Sequence, residues 1–138
     1  RMSLVHVGDS RAYLLRGGKV VARTRDHSHV ELLLREGVIG PDQVHNHPMR
    51  NFVESCLGGE ALLPEMELSL RQPVMKGDVL LVCTDGLWAG ASDEAIAAAF
   101  AQANEPCAEA LAALGAQAVV ASGAGCDNTS AVALRYLE

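Results

Sequence analysis

Three aspartates share a sequence context that could carry chemistry. Each lies next to a short apolar run and close to a glycine: Asp9 in VGDSR, Asp85 in CTDGL and Asp127 in GCDNT. Carboxylates held together at the rim of a sheet concentrate negative potential, which a hard divalent cation such as Mg²⁺ or Mn²⁺ can neutralise. For each aspartate alone, turn chemistry beside glycine is the stronger explanation, and only the three together favour a cation site. We interpret the turn Lys76-Gly77-Asp78 in that structural way.

The apolar runs beside these aspartates predict strands. Residues 3–7 lead to the first aspartate, residues 79–83 end just before Asp85, and residues 130–136 follow Asp127. The run 79–83 is apolar on both faces, which is typical of a central strand. If Asp85 and Asp127 share one cation, these two strands must be neighbours and the two carboxylates should lie within about 6 Å of each other.

The remaining pattern predicts helices packed on antiparallel sheet, an α+β fold, because the elements do not alternate as in a parallel fold. The other predicted elements are a hairpin with strands at 12–16 and 19–23 around Gly17-Gly18, a helix from the Ser28 cap to Gly37, a half-buried strand at 65–71, and helices at 92–103 and 106–121. Residues 38–60 are expected to run over the surface.

Composition excludes some classes of function. The chain has 138 residues and a net charge of −6, with 17 acidic and 11 basic residues. This balance argues against a nucleic-acid partner, which needs clustered basic residues, and suits a protein that holds cations. We see no apolar run close to the length of a membrane span and no signal peptide. The four cysteines lack CxxC spacing, so we expect reduced thiols in a single cytoplasmic domain.

Five segments together resemble one protein family. In order and spacing, VGDSRAYLLRGGKV, TRDHSHVELLLREG, HPMRNFVESCLGG, GDVLLVCTDGLW and GCDNTSAVAL resemble the type 2C metal-dependent protein serine/threonine phosphatases, especially bacterial ones. The resemblance implies a sandwich of two antiparallel sheets flanked by helices, of which residues 1–138 form the C-terminal portion. It also implies two Mn²⁺ or Mg²⁺ ions, possibly a third, and a flap near the active site at about residues 38–60. The implied substrate is a phosphoprotein, and the implied counterpart is a serine/threonine kinase.

The same resemblance implies roles for individual residues. Asp85 and Asp127 match metal ligands of the binuclear centre, and Asp9 matches the aspartate that, with Asp85, holds a third, weaker metal. Asn128 would orient the neighbouring carboxylate. In the implied reaction, a water between two metal ions loses a proton near neutral pH and attacks phosphorus in line, so that no cysteine or serine nucleophile is needed.

The chain departs from the family at one place. The family's Asp-Gly-His-Gly-Gly motif, its upstream acidic ligand and its phosphate-binding arginine are absent, and the only Asp-His pair, Asp26-His27, stands in a different context. Two hypotheses follow. Either the chain is a fragment of a longer phosphatase, which we prefer, or it is a non-catalytic regulatory or interaction module with the same fold. Made alone, it should bind Mn²⁺ weakly, hydrolyse phosphomonoesters negligibly and associate with itself.

Other polar residues have less specific signals. Arg50 and Asn51, in the predicted flap, could contact a phosphopeptide, although an exposed arginine is usually only solvated. The four histidines at positions 27, 29, 45 and 47 could suggest zinc, but without cysteine partners at suitable spacing we interpret them as surface residues. His6, within a strand, is interpreted as a hydrogen-bonded structural residue, and Trp88 as part of the core.

Overall fold

The computed structural model describes residues 2–44, 46–58, 64, 66–102 and 107–138. The strands in these ranges are β1 (Met2–His6), β2 (Arg11–Arg16), β3 (Lys19–Arg23), β4 (Glu67–Gln72), β5 (Val79–Cys83) and β6 (Ala131–Arg135). The helices are α1 (His29–Arg35), α2 (Pro41–Val44), α3 (Asp85–Trp88), α4 (Asp93–Ala99) and α5 (Cys107–Ser122). Antiparallel strands and separate helices confirm the predicted α+β class.

The larger sheet has four antiparallel strands in the order β3-β2-β5-β6. The β2–β3 hairpin turns at Gly17 and Gly18, whose φ angles of 54° and 75° suit glycine far better than other residues. Strand β5 pairs with β2 on one side and with β6 on the other. The predictions of a tight hairpin and of a central strand at 79–83 are therefore confirmed.

One face of this sheet forms the core with the helices. Alternate side chains of the central strands are buried on this face, among them Tyr13, Leu15 and Leu81. Helices α3, α4 and α5 cover them with Leu87, Ile96, Leu114 and Ala118, and Phe100, just after α4, belongs to the same core. Full burial of such a side chain is worth about 1.5–3 kcal/mol, so packing on this face strongly stabilises the sheet and fixes the positions of its strand ends.

The second face of the sheet is covered in part. Strands β1 and β4 form a separate antiparallel pair, and Met2 and Leu4 of β1 line a small cavity together with Leu14 and Leu80 of the larger sheet. Further along this face, apolar side chains are exposed, namely Val82 at 42%, Val132 at 61% and Leu134 at 63%. The described residues thus contain a sandwich of two sheets with only two strands in the second.

One boundary prediction was wrong. The helix expected to reach about residue 103 ends at Ala99, because Phe100 leaves helical geometry with φ −110° and ψ 15° and turns its side chain into the core. The segment after β5 forms a short helix, α3, from Asp85 to Trp88, which no sequence pattern predicted. By contrast, Ser28 caps α1 as predicted, since its hydroxyl accepts the N–H of Glu31.

Helix α5 differs from the expectation of no membrane-length segment. Together with the turn that follows it, the 19 residues of Cys107–Gly125 have a mean hydropathy of 1.4, which is long and apolar enough to cross a membrane by length and composition alone. A core helix of a globular protein passes the same test, so this is weak evidence. Within the fold, α5 packs against its neighbours through the buried residues Leu114 and Ala118.

Asp78 is the structural aspartate that the sequence predicted. Its carboxylate accepts hydrogen bonds from Arg16 Nε and Nη2, both at 2.7 Å, and from the Met75 N–H at 2.8 Å. The Asp78 side chain is 1% exposed, and that of Arg16 is one third exposed. The hydrogen bonds from Arg16 hold the pKa of the Asp78 carboxyl below its ordinary value of 3.8, so the ionised form is stabilised in the folded protein.

We expect Asp78→Asn, in the protein at its full encoded length, to lower the free energy of unfolding at pH 7 by about 1.5–3 kcal/mol, the range for a hydrogen bond to a charged group, because Arg16 is partly exposed and water can solvate it. Because the carboxyl pKa is lowered by folding, this contribution is complete above 3.8 and is lost as the pH falls through the lowered pKa. Urea denaturation at pH 7 and pH 3 measures the difference. The exposed Asp42→Asn is the control, and an equal loss in both variants would contradict the assignment.

Candidate metal centre

The sheet register places the three aspartates at one edge. Arg11 of β2 pairs with Cys83 of β5, and Cys83 pairs with Ala131 of β6, so these positions form one row across the sheet. Asp9 lies two residues before this row, ahead of β2; Asp85 lies two residues after it, beyond β5; and Asp127 lies four residues before it, ahead of β6. Because neighbouring strands are antiparallel, the start of β2, the end of β5 and the start of β6 lie at the same edge of the sheet, and all three aspartates lie beyond that edge. The prediction that the strands beside Asp85 and Asp127 are neighbours is confirmed, and the separation of about 6 Å between their carboxylates stays a prediction.

Gly86 brings the loops of Asp85 and Asp127 into direct contact. A Cβ atom at position 86 would lie 2.6 Å from the carbonyl oxygen of Asn128 and 2.8 Å from Thr129 Oγ1. The Thr84 hydroxyl, on the other side of Asp85, donates to the same Asn128 oxygen at 3.1 Å. The absence of a side chain at position 86 therefore permits the close approach of the two loops.

The carboxylates of Asp85 and Asp127 are oriented in the same way. In each, Oδ1 accepts the backbone N–H of the next residue, from Gly86 at 2.9 Å and from Asn128 at 2.6 Å. Asp85 is half-buried at the start of α3, and Asp127 is exposed in the loop before β6. The contribution of Asn128 that the structure describes comes from its backbone, and an orienting role of its side chain stays a prediction.

Asp9 lies close enough to Asp85 to be affected by its charge. Burial raises the pKa of the Asp9 carboxyl above its ordinary value, and the negative charge of Asp85 raises it further. The preceding residue, Gly8, has a φ of 105° that suits glycine far better than other residues. This glycine turns the chain from β1 to β2 and sets the position of Asp9. A divalent cation would relieve the repulsion between the two carboxylates.

Three residues behind Asp9 form a unit that the sequence analysis missed, and we name Arg11, Asp26 and Trp88 the Arg11 brace. Arg11 Nε and Nη2 donate to the two carboxylate oxygens of Asp26 at 2.8 and 2.6 Å. The guanidinium carbon of Arg11 lies 3.7 Å from the ring centroid of Trp88. Trp88 Nε1 donates to the carbonyl oxygen of Asp9 at 3.0 Å. The only sequence signal was the presence of Arg11 and Asp26 in two of the five resembling segments.

Three of the histidines have polar partners within the fold. The ring Nδ1 of His27 accepts the Gly8 N–H at 3.2 Å, and that of His47 accepts the Met49 N–H at 3.1 Å. His29 pairs with Glu54. Position 45 lies outside the described residues. His6 corrects our expectation, because it is buried while neither ring nitrogen has a hydrogen-bond partner among the residues that the structure describes.

Arg50 and Asn51 lie exposed in a turn of the flap, the segment of residues 38–60. Just after this turn, the flap is anchored next to Asp9. The Glu54 N–H donates to the carbonyl oxygen of His27 at 2.8 Å, and the His27 N–H donates to that of Gly8 at 2.8 Å. A role of Arg50 and Asn51 in binding substrate stays a prediction.

The oxygen donors at this edge are of the type that a hard divalent cation prefers, but there are too few of them to complete its coordination. Carboxylate oxygens at one sheet edge suit Mn²⁺ or Mg²⁺, and the contact at Gly86 holds two of the three loops together. Among the described residues, no three His, Cys, Asp or Glu side chains converge as a ready-made metal site. Further ligands must therefore come from water or from other parts of the protein.

Comparison with known proteins identifies relatives. The chain is 43% identical over 96 residues to the serine/threonine protein phosphatase PstP of Mycobacterium tuberculosis, a match that covers 70% of this chain and 18% of PstP. It is 40% identical over 84 residues to the serine/threonine phosphatase stp of Listeria monocytogenes, covering 61% of this chain and 32% of that protein. No family model matches the chain.

Solved structures agree with these relatives. The serine/threonine phosphatase PstP/Ppp of M. tuberculosis superposes with a TM-score of 0.81 at 35% identity, covering 99% of this chain and 55% of that one. The S. agalactiae serine/threonine phosphatase superposes with a TM-score of 0.83 at 31% identity, with 99% and 54% covered. The catalytic domain of PstP, solved in complex with two manganese ions, superposes at 0.78 and 32% identity, with the same coverage.

The chain corresponds to only part of each of these relatives. The chain spans about half of these solved phosphatase chains and less than a third of the relatives' full sequences. Within that span, the sequence similarity and the structural superposition point to the same family. The chain therefore belongs to the bacterial type 2C family of protein serine/threonine phosphatases, of whose catalytic domain it spans a part.

Proposed function

We propose that this chain forms part of a metal-dependent phosphatase that hydrolyses phosphoserine and phosphothreonine in proteins. The observation that carries the proposal is the sheet register, which brings the chain segments of Asp9, Asp85 and Asp127 to one edge of the sheet, with two of these segments in contact at Gly86. The relatives' names and the two manganese ions of PstP support it.

In this proposal, Asp85 and Asp127 hold a divalent cation, and Asp9 together with Asp85 holds a further one. Mn²⁺ or Mg²⁺, when bound, supplies positive charge for phosphoryl oxygens and lowers the pKa of water towards neutrality. The backbone N–H groups of Gly86 and Asn128 keep the two main carboxylates in place.

A cysteine nucleophile at position 83 is disfavoured. Burial raises the pKa of the Cys83 thiol to about 12, so this thiol carries almost no thiolate at neutral pH. The side chain is 2% exposed and lies within the core beside the helices. Chemistry at the aspartate edge therefore accounts for phosphate hydrolysis better than chemistry at Cys83.

The cellular setting is part of the same proposal. We infer that the protein acts in cytoplasmic signalling, removing phosphate groups that a serine/threonine kinase has added, with Arg50 and Asn51 of the flap in contact with the phosphoprotein. The alternative of a non-catalytic module is less favoured, because the relatives are named as phosphatases and because a binding module gains nothing from mutually repelling carboxylates at one edge.

The test is metal-dependent hydrolysis by the protein at its full encoded length. A phosphothreonine peptide and p-nitrophenyl phosphate are assayed with Mn²⁺, with Mg²⁺ and with excess chelator. We expect hydrolysis that requires the metal and returns when Mn²⁺ is restored, together with negligible hydrolysis by residues 1–138 alone. Hydrolysis that persists in the chelator, or none at any Mn²⁺ concentration, would contradict the proposal.

A further inference from the structure

The Arg11 brace links the two carboxylates that repel each other. Trp88 is the last residue of α3, and Asp85 is the first residue of the same helix. The hydrogen bond from Trp88 Nε1 to the carbonyl oxygen of Asp9, at 3.0 Å, therefore joins the helix that begins with Asp85 to the backbone of Asp9. This bond fixes the Asp9 loop relative to Asp85 without using either carboxylate.

The brace also determines which carboxylate pairs with the positively charged side chain of Arg11. Arg11 follows Asp9 closely in the chain, and an ion pair between them would neutralise the Asp9 carboxylate. Instead, two hydrogen bonds engage Arg11 with Asp26, whose side chain is 6% exposed, and the guanidinium stacks on Trp88. Burial opposes the charge of Arg11, but its hydrogen bonds to the Asp26 carboxylate and the negative charge of Asp26 outweigh this and hold the pKa of Arg11 above the ordinary value. The Asp9 carboxylate thus remains available to an external cation.

We propose that the Arg11 brace is a positioning device for the divalent cation held between Asp9 and Asp85. It fixes the Asp9 backbone against α3, and it keeps the positive charge of Arg11 away from the Asp9 carboxylate. Neither Arg11, Asp26 nor Trp88 touches the reacting atoms in this role. The inference rests on the metal site proposed above. It attributes part of the affinity for the cation between Asp9 and Asp85 to residues that are not metal ligands.

Mn²⁺ titration of the protein at its full encoded length, with free Mn²⁺ measured by electron paramagnetic resonance, separates the parts of the proposal. Asp26→Asn leaves Arg11 unpaired next to Asp9, so we expect the weakest Mn²⁺ site to lose affinity by about tenfold, as for other partners that orient a ligand. Trp88→Phe keeps the stacked ring and removes only the N–H donor. It should weaken the same site by a smaller factor, while the tighter sites keep their affinity.

The double variant Arg11→Gln with Asp26→Asn tests the role of charge. It removes the competing cation as well as its partner, so the weakest site should regain part of the affinity lost in Asp26→Asn alone. A role limited to fold stability predicts that the double variant is no better than the single one, and this result would overturn the proposal. Thermal unfolding of each variant shows that the comparison is made between folded proteins.

Two further outcomes distinguish failure of the brace from failure of the site. If wild-type protein binds Mn²⁺ and Asp85→Asn abolishes the weakest site, while Trp88→Phe and Asp26→Asn bind as wild type does, the brace proposal is wrong and the metal site stands. If wild-type protein binds no Mn²⁺, or Asp85→Asn leaves every site intact, the metal site itself is wrong and the brace proposal falls with it.

Discussion

Replacing Asp85 or Asp127 by asparagine should reduce Mn²⁺-dependent hydrolysis of a phosphothreonine peptide by more than about a hundredfold, the upper range for losing a residue that only orients a metal ligand. The fold should survive, because each carboxylate lies at the end of a strand held by the core, outside that core. The amide also removes a negative charge from an edge where carboxylates repel each other. The melting temperature of the metal-free protein should therefore stay constant or rise.

Asp9→Asn should have a milder effect that depends on metal concentration. In our proposal Asp9 contributes to the weaker site only, so high Mn²⁺ should restore much of the rate. Glu109→Gln is the matched control, since it makes the same chemical change at an exposed position of α5. If the three aspartate variants lose activity equally and unfold, the aspartates are structural turn residues and the metal assignment is wrong.

Gly86→Ala, which adds a single methyl group, should strongly reduce the catalytic rate. Its Cβ would meet the carbonyl oxygen of Asn128 at 2.6 Å, so the loops of Asp85 and Asp127 must separate. Misplacing a catalytic group by about 1 Å can cost about a hundredfold in rate, and the strain should lower stability by about 1–3 kcal/mol. Steady-state kinetics and urea denaturation measure the two effects.

Gly115→Ala is the control for this variant. Gly115 lies within α5, and a Cβ there would meet no atom within 4 Å. Alanine should stabilise the helix by about 0.5–1 kcal/mol and leave the rate unchanged. If Gly86→Ala retains the wild-type rate and Mn²⁺ affinity, the contact between the two loops does not matter for the site.

Much of the fold was predictable because the signals are local. Two glycines between β-prone runs predicted the hairpin, Ser28 and Gly37 marked the ends of α1, and the apolar run at 79–83 predicted a central strand. The three aspartates were predictable as a group for a related reason. Each lies beside a strand, and antiparallel pairing places the ends of neighbouring strands at the same edge.

The rest could not be predicted because it depends on contacts between distant residues. Nothing local shows that Arg11 pairs with Asp26 and not with the nearer Asp9, since the choice depends on where β2 and the loop after β3 meet. The contact of Gly86 with Asn128 also joins residues that are far apart in the sequence, so no local pattern predicts it. Helix α4 ends early because Phe100 is drawn into the core, a tertiary effect that outweighs the helical preference of its alanines.

The anchoring of the flap has a consequence for how the protein can change over evolution. Ser28 and Val53 form an isolated bridge, flanked by a hydrogen bond from the His29 N–H to the carbonyl oxygen of Phe52 at 2.9 Å. The chain between them thus leaves and returns at one fixed point. Doubling the length of such a closed loop costs only about 0.6 kcal/mol. Insertions and deletions can therefore accumulate in the flap without moving the aspartates.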